Sequence, residues 1–190
     1  MTRNNTKYAI LVPWVELDSG DALLLEVRSQ LVRQPGEVCF PGGRAERGES
    51  AIEAAVRETC EELGIAPDDI EVISELEPLR MGDGRAVYPI AARLHIEDIE
   101  SLELSEDEVA EVFLLPAKWL EENPPVHYDL AATADEELPK KLLGYLAHYG
   151  DYRKTGQTDW LEYEGHGIWG LTARIIMKMG KMGTVPVRDV

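Results

Sequence analysis

The feature that most constrains this chain is the stretch from Gly43 to Ile65, which predicts a loop followed by one short helix. Ser50 can act as the N-cap, because Glu53 stands three residues later and completes a capping box. Gly64 stands where a residue of left-handed conformation commonly ends a helix. We therefore predict that the helix runs from Ala51 to Leu63.

The predicted helix has two faces of different chemistry. At about 100° per residue, its apolar residues occupy an arc about 100° wide, and an acidic arc of similar width lies beside it. The apolar arc contains Ile52, Ala55, Val56, Thr59 and Leu63, and the acidic arc contains Glu58, Glu61 and Glu62. The first face suits a protein core, and the second suits a cation.

The acidic face would destabilise the helix if it had no ligand. Like charges three or four residues apart lose about 0.2–0.5 kcal/mol each, and the helix dipole opposes anions in the last turn by about 0.3–1 kcal/mol. Arg57 can offset part of this cost through Glu61. A divalent cation would offset more, and carboxylates without a histidine or thiolate suit Mg²⁺ or Mn²⁺. The structural alternative is a solvated acidic face without a ligand.

Fixed spacing extends the pattern upstream of the helix. Gly43 is followed by five residues, Glu49, seven residues and then the segment 57–65. This order resembles the Nudix box, G-x5-E-x7-R-E-U-x-E-E-x-G-U, in which U is aliphatic. Thr59 occupies the first U position, where its methyl group can still pack on the core. Nine specified positions at fixed offsets make the match far more specific than a glycine motif alone.

The resemblance implies a Nudix hydrolase with an α/β/α sandwich and a mixed β-sheet, in which the box helix lines the catalytic cleft. It implies metal-dependent hydrolysis of a diphosphate linkage, with Mg²⁺ or Mn²⁺ as the cofactor. Glu58 and Glu62 are the implied metal ligands, together with Glu61 and the carbonyl of Gly43.

Arg57 and Glu49 complete the catalytic set that the resemblance implies. They are expected to pair and to orient the loop on the helix. A surface pair of Arg57 with Glu61 is the alternative. The base that takes the proton of the attacking water stays open, and the candidates are Glu58, Glu61, Glu106, Glu108 and Glu111.

A second resemblance concerns the substrate. The segment from Leu24 to Gly43 is similar to a signature of coenzyme A pyrophosphatases, roughly L-L-T-x-R-S-x3-R-x3-G-x3-F-P-G-G. Glu26 stands in place of the threonine, and the segment between Ser29 and Gly36 is one residue shorter. The resemblance implies cleavage of coenzyme A or an acyl derivative into 3′,5′-ADP and 4′-phosphopantetheine.

Four residues of this segment are the candidates for substrate binding: Arg28, Arg33, Gly42 and Gly43. Arginine grips phosphate through two parallel hydrogen bonds, and glycine lets the backbone approach a ligand closely. Because of the shorter segment, Arg33 is an approximate counterpart of the second arginine. Surface charge and turn formation are the alternatives for the arginines and the glycines.

Two other functions compete with this interpretation. The first is a Nudix hydrolase that acts on nucleoside triphosphates or sugar nucleotides. The second is a non-catalytic nucleotide-binding module with the same fold. The intact acidic cluster argues against the module, because a decayed site has no reason to keep carboxylates that repel one another.

Apolar patterns around the predicted helix indicate the rest of the fold. Strands before and after the helix and a helix near the end predict an α/β sandwich with a mixed sheet. Pro41 to Gly43 is predicted as a turn, and Pro89 is expected at an edge or a bulge. The main predicted strands and the closing helix are 8–16, 22–28, 70–81, 86–96 and 168–181.

Length and composition limit the domain count and the partners. The 190 residues are 44% hydrophobic, which suits one Nudix domain over 1–190 with a core of about 8–181. A net charge of −17 argues against bulk attraction to nucleic acid or to an anionic membrane. Cys39 and Cys60 form no disulfide or zinc pattern, and no signal peptide or membrane span is visible. We expect a cytoplasmic protein that binds a small-molecule diphosphate, with a homodimer as the assembly to consider.

Overall fold

Residues 7–81, 84–149 and 156–182 are described by the structure, a computed structural model. They belong to two compact units, Met1–Pro116 and Ala117–Val190. The predicted core of about 8–181 includes residues 82–83 and 150–155, which lie outside the described residues. The assignment of 1–190 to a single domain stays a prediction.

A mixed sheet forms the framework of the first unit. β1 pairs with β7 in parallel, and the other pairings are antiparallel. The main path of the sheet is β3-β2-β1-β7-β5, while β4 pairs with β1, β6 with β7 and β8 with β2. The strands are β1 (Lys7–Leu17), β2 (Gly20–Arg28), β3 (Val38–Cys39), β4 (Gly42–Arg44), β5 (Ile70–Glu75), β6 (Leu79–Arg80), β7 (Ala86–Leu94) and β8 (Val109–Pro116).

One helix, α1 (Ala51–Leu63), packs on this sheet and has the bounds that its caps predict. The Ser50 hydroxyl accepts from the Glu53 N–H at 3.2 Å, and Glu53 accepts from the Ser50 N–H at 2.8 Å. Gly64 is left-handed, with φ +66°, and its N–H donates to the Cys60 carbonyl. Both ends therefore satisfy backbone groups that a bare helix end leaves unpaired.

The apolar arc of α1 faces the core as predicted. Thr59 is buried, and its hydroxyl donates to the Ala55 carbonyl at 2.7 Å. Burial of a side chain such as Leu63 contributes about 1.5–3 kcal/mol. The buried residues of this cluster are Ala9, Leu11, Val15, Leu24, Ala54, Ala55, Leu63, Ile70, Ile90, Ala92 and Leu94.

The segment predicted as a turn at Pro41 to Gly43 instead leads into a strand. Gly42 pairs with Ile10 and Gly43 with Ala9, so β4 lies antiparallel to β1. Gly42 has φ +139°, and a Cβ there would collide with the backbone of Ala9 and Ile10. The close approach of the two strands therefore requires glycine.

Pro89 lies within β7, an inner strand, so the predicted edge is wrong, but the pairing of β5 with β7 does shift register between Val72 and Ser74, two residues from Pro89 on β7. The single strand predicted at 70–81 is divided into β5 and β6. The register of β5 ends at Ile90 and that of β6 begins at Val87. Pro89 therefore lies opposite the gap between β5 and β6. At this point no partner strand accepts a hydrogen bond from residue 89, so a proline, which has no N–H, is tolerated.

The second unit has its own sheet and core. Its three strands are antiparallel in the order β11-β10-β9, and its cluster contains Leu130, Leu138, Leu142, Leu146, Trp160 and Trp169. Its elements are α2 (Ala117–Glu122), β9 (Val126–Asp129), α3 (Lys140–Leu146), β10 (Gln157–Tyr163), β11 (His166–Trp169) and α4 (Gly170–Met182). No helix in the described part of the chain is both long enough and apolar enough to cross a membrane.

Candidate active site

The three box carboxylates on α1 differ in exposure. The side chain of Glu61 is 58% exposed, that of Glu58 is 19% exposed, and Glu62 as a residue is 5% exposed. The Gly42 N–H donates to Glu62 Oε2 at 2.7 Å, so β4 holds the Glu62 carboxylate in place. The exposure of the acidic side chains thus decreases from Glu61 through Glu58 to Glu62.

Gly43 lies directly against Glu58. A Cβ on Gly43 would occupy the position of the Glu58 carboxylate group. The sequence assigned both residues to the metal site, and the structure brings them into contact. A side chain at residue 43 would therefore displace a candidate ligand.

Arg57 joins the loop to the carboxylates. Its Nε lies 2.9 Å from Glu49 Oε1, its Nη2 lies 2.9 Å from Glu58 Oε1, and its Nη1 lies 3.1 Å from Glu61 Oε2. The predicted pair with Glu49 and the alternative pair with Glu61 are thus both present. Arg57 Nη2 also donates to the Arg44 carbonyl, which ties β4 to the helix.

Burial and neighbouring carboxylates dominate the electrostatics of Glu62, although the charge of Arg28 also reaches it. Burial raises its pKa to about 9, and the charges of Glu26, Glu108 and Glu58 act in the same direction, against the hydrogen bond from Gly42. Burial also raises the pKa of Glu58, although its ion pair with Arg57 opposes the shift. When these carboxyls are ionised, the site therefore carries more negative charge than Arg28 and Arg57 neutralise.

The two candidate phosphate-binding arginines have different surroundings. Arg28 is partly buried, and its charge interacts with those of Glu26 and Glu62. Arg33 is exposed, and its backbone carbonyl accepts from Arg28 Nε at 2.7 Å. Arg28 is thus brought to the acidic cluster, whereas Arg33 contributes a carbonyl that positions Arg28.

Two carboxylates outside the box also belong to this cluster. Glu108 raises the pKa of both Glu58 and Glu62, which distinguishes it among the base candidates proposed from the sequence. The Glu108 carbonyl accepts from the Ser29 N–H at 2.9 Å. Sequence alone did not assign Glu26 to the site and identified it only as a departure from the signature. Its position in the apolar segment 22–27 could have predicted a role, because a carboxylate there must be buried or must reach a ligand.

The residues present fit a divalent cation in donor type and charge. Carboxylate oxygens and a backbone carbonyl are the ligands that Mg²⁺ and Mn²⁺ prefer. Within 7–81, 84–149 and 156–182, no three His, Cys, Asp or Glu side chains are already arranged to hold a metal ion. The Arg57 guanidinium forms ion pairs with Glu58 and Glu61, so a divalent ion would compete with Arg57 for these carboxylates.

The stability of the metal-free protein is expected to fall as pH rises. The folded-state pKa of Glu62, about 9, lies above its ordinary value of 4.5, so its protonated form favours the folded state. This stabilisation is complete below about pH 4.5 and is lost as pH rises through about 9. Each kcal/mol lost lowers Tm by about 2–4 °C. Thermal melts in EDTA across this range measure the effect.

The control for this prediction is Glu62→Gln, which cannot titrate. Its Tm should fall less than that of the wild type over the same range. Mg²⁺ should also reduce the fall in the wild type, because it supplies the missing positive charge. A wild-type profile parallel to that of the variant would contradict the assigned titration.

The fold and the site together define an α/β protein in which an acidic helix lies beside a glycine-rich strand. A family model described as the NUDIX domain matches residues 6–137. The chain belongs to the Nudix family.

Similar proteins support the assignment to the family. "Nudix hydrolase 3" of Caenorhabditis elegans is 40% identical over 116 residues, which are 59% of this chain and 48% of that protein. "Uncharacterized Nudix hydrolase NudL" of Citrobacter koseri is 32% identical over 186 residues, which are 94% and 83% of the two chains. "Peroxisomal coenzyme A diphosphatase NUDT7" of Mus musculus is 35% identical over 132 residues, which are 68% and 55%. The chain thus spans about half the length of the first and third relatives.

Solved structures share the fold. The C. elegans Ap4A hydrolase in a binary complex has a TM-score of 0.50 and 26% identity, over 58% of this chain and 80% of that chain. A MutT/nudix family protein from Enterococcus faecalis has a TM-score of 0.51 and 18% identity, over 94% and 61%. With the mixed sheet, these likenesses confirm the predicted fold class, a Nudix-type α/β/α sandwich.

Proposed function

We propose that the chain hydrolyses the diphosphate linkage of coenzyme A or an acyl derivative, releasing 3′,5′-ADP and 4′-phosphopantetheine. The observation that carries the proposal is the position of Arg28, a cation of the signature segment whose charge interacts with that of buried Glu62. A phosphate-binding arginine beside an acidic cluster suits an anionic substrate held between guanidinium and metal. The mouse relative named as a coenzyme A diphosphatase supports this substrate.

The reaction adds water to one phosphorus atom. A new P–O bond forms, the bridging P–O bond breaks, and the other phosphate leaves with the bridging oxygen. A divalent ion, when bound, makes the water more acidic and neutralises the developing charge. Glu58, Glu62, Glu61 and the Gly43 carbonyl would hold this ion.

The remaining residues position the reactants and accept the proton. Arg57 and Glu49 fasten the loop to the helix through their 2.9 Å ion pair. Arg28 binds a phosphate group of the substrate. We take Glu108 as the base, and the support for this choice is that its charge contributes to the raised pKa of both Glu58 and Glu62. Its carboxylate would take the proton of the attacking water.

Another Nudix specificity is the main rival. The C. elegans structural neighbour is named an Ap4A hydrolase, and nucleoside triphosphates and sugar nucleotides also contain the scissile linkage. All of these substrates present phosphates to an arginine and a metal ion. The rivals therefore differ from coenzyme A in the rest of the molecule, and product analysis is required to separate them.

A substrate panel tests the proposal. The purified chain, with Mg²⁺ or Mn²⁺, is expected to hydrolyse coenzyme A or acetyl-coenzyme A, releasing 3′,5′-ADP, with a kcat/KM at least about tenfold above that for a nucleoside triphosphate, a sugar nucleotide or diadenosine tetraphosphate. The panel contains acetyl-coenzyme A, a nucleoside triphosphate, a sugar nucleotide and diadenosine tetraphosphate. Products are identified by chromatography with mass spectrometry, and the Glu62→Gln protein is the blank.

Two other outcomes have distinct meanings. A higher kcat/KM for a nucleoside triphosphate, a sugar nucleotide or diadenosine tetraphosphate would overturn the substrate assignment and keep the enzyme class. Binding without turnover across the whole panel would support the non-catalytic module.

A further inference from the structure

Glu26 is a carboxylic acid buried within an apolar strand. It is 1% exposed, and its neighbours Leu24 and Leu25 on β2 are fully buried. Burial of a carboxylate is costly unless partners replace its lost hydration. The surroundings of Glu26 must therefore supply hydrogen bonds or a cation.

The described residues meet this need only in part. Glu26 Oε1 accepts from the Cys39 thiol at 3.1 Å, and a thiol is a weak donor. Glu26 Oε2 is buried and makes no hydrogen bond to any residue in the described part of the chain. One buried carboxylate oxygen thus lacks a partner, which is rare unless an ion or a ligand completes the site.

The face of the sheet on which Glu26 lies follows from the alternation of side chains along a β-strand. Leu24 and Glu26 are two residues apart and lie on the same face of β2. Leu24 packs in the cluster that contains Ala54 and Leu63 of α1. Glu26 therefore lies on the face of the sheet that α1 covers, the same side as Glu62.

The nearby arginines have other partners. Arg28 donates to the Arg33 carbonyl and to Cys39 Sγ. Arg57 is held by carboxylates of the box and its loop. Neither guanidinium donates a hydrogen bond to Glu26 Oε2, although the charge of Arg28 interacts with that of Glu26.

We propose that Glu26 Oε2 is a ligand of a divalent cation, shared with Glu62, in the acidic cluster of this chain. This inference rests on the proposed function, because the ion is the one used in diphosphate hydrolysis. It adds a ligand from β2 to those supplied by the box. Because Glu26 replaces the threonine of the signature, a hydroxyl gives way to a carboxylate, which raises affinity for a hard divalent cation.

Mn²⁺ binding without substrate tests the ligand. Electron paramagnetic resonance of free Mn²⁺ measures the affinity and number of bound ions in the wild type, Glu26→Gln and Glu26→Thr. We expect both variants to bind Mn²⁺ at least about tenfold more weakly, or to lose one bound ion. Glu71→Gln is the matched control, since Glu71 lies on β5 of the same sheet and pairs with His95. It should bind Mn²⁺ as the wild type does.

The outcomes separate this ligand from the proposed function. Wild-type Mn²⁺ binding by both Glu26 variants, with binding impaired in Glu62→Gln, would overturn the Glu26 ligand and keep the metal site of the box. Wild-type binding by Glu62→Gln as well would show that the Mn²⁺ ions are held without Glu62 and would reject the metal site proposed on the box carboxylates. Glu26→Gln, which keeps the size of the side chain, is also melted in EDTA, where it should not lower Tm, because the thiol of Cys39 is only a weak hydrogen-bond donor to the carboxylate. A lower Tm would show a structural carboxylate and overturn the proposal.

Discussion

The Glu62→Gln variant is expected to fold normally and to lose about 10³-fold in kcat/KM for its diphosphate substrate, which corresponds to about 4 kcal/mol. The amide has nearly the same shape as the carboxylate, and its oxygen can accept the hydrogen bond that Gly42 N–H donates to Glu62 Oε2 at 2.7 Å. The negative charge, however, is lost. The variant therefore removes a metal ligand while β4 keeps its attachment to α1.

The measurement is steady-state kinetics with Mg²⁺, accompanied by circular dichroism and thermal melts in EDTA. Glu53→Gln is the matched control, because it makes the same chemical change on the same helix. Glu53 serves in the capping box, where glutamine is also suitable, so activity should stay within about twofold. If Glu62→Gln retained wild-type turnover, the assignment of Glu62 as a ligand would be wrong.

The bounds of α1 could be predicted because the signals that fix them are local. Ser50 and Glu53 satisfy the first turn, and Gly64 accepts the left-handed conformation that ends the helix. The apolar and acidic arcs also follow from helical periodicity. Short-range interactions were therefore sufficient to place the box residues relative to one another.

The burial of Glu62 could not be read from periodicity. The arc that contains Glu62 also contains Glu61, whose side chain is 58% exposed. The difference arises because β4 pairs with β1 and brings Gly42 over Glu62. Strand pairing of this kind depends on register between distant segments, which the alternation pattern of one strand does not determine.

In the substrate-binding segment, too, the sequence alone could not predict which side chains reach the site. Arg28 and Arg33 were equal candidates by residue type, but their roles differ because Arg28 is on β2 and Arg33 is in the following loop. Glu26 was identified by its departure from a signature, and its buried position depends on the strands beside it, β3 and β8. Residue types thus predicted the chemistry, and tertiary contacts decided which side chains take part.

Gly42→Ala is expected to be the most destabilising substitution considered, at about 4 kcal/mol or more. The backbone at Gly42 has φ +139°, and the added Cβ would meet the Ala9 carbonyl and the Ile10 Cα. These are backbone atoms of the central strand β1, so they cannot rotate away as a side chain could. Urea denaturation measures the loss as a lower midpoint at an unchanged m-value.

Gly20→Ala separates backbone strain from collision. Gly20 also has a left-handed φ of +117°, but a Cβ there would have no atom within 4 Å. Its cost should therefore be the strain alone, about 1–3 kcal/mol. Equal losses in the two variants would show that strain explains Gly42 and that β4 does not lie tightly on β1. A larger loss at Gly42 would mean that the close contact between β4 and β1 requires glycine at this position. The same contact places the Gly42 N–H against Glu62, so one residue serves both the strand pairing and the geometry of the site.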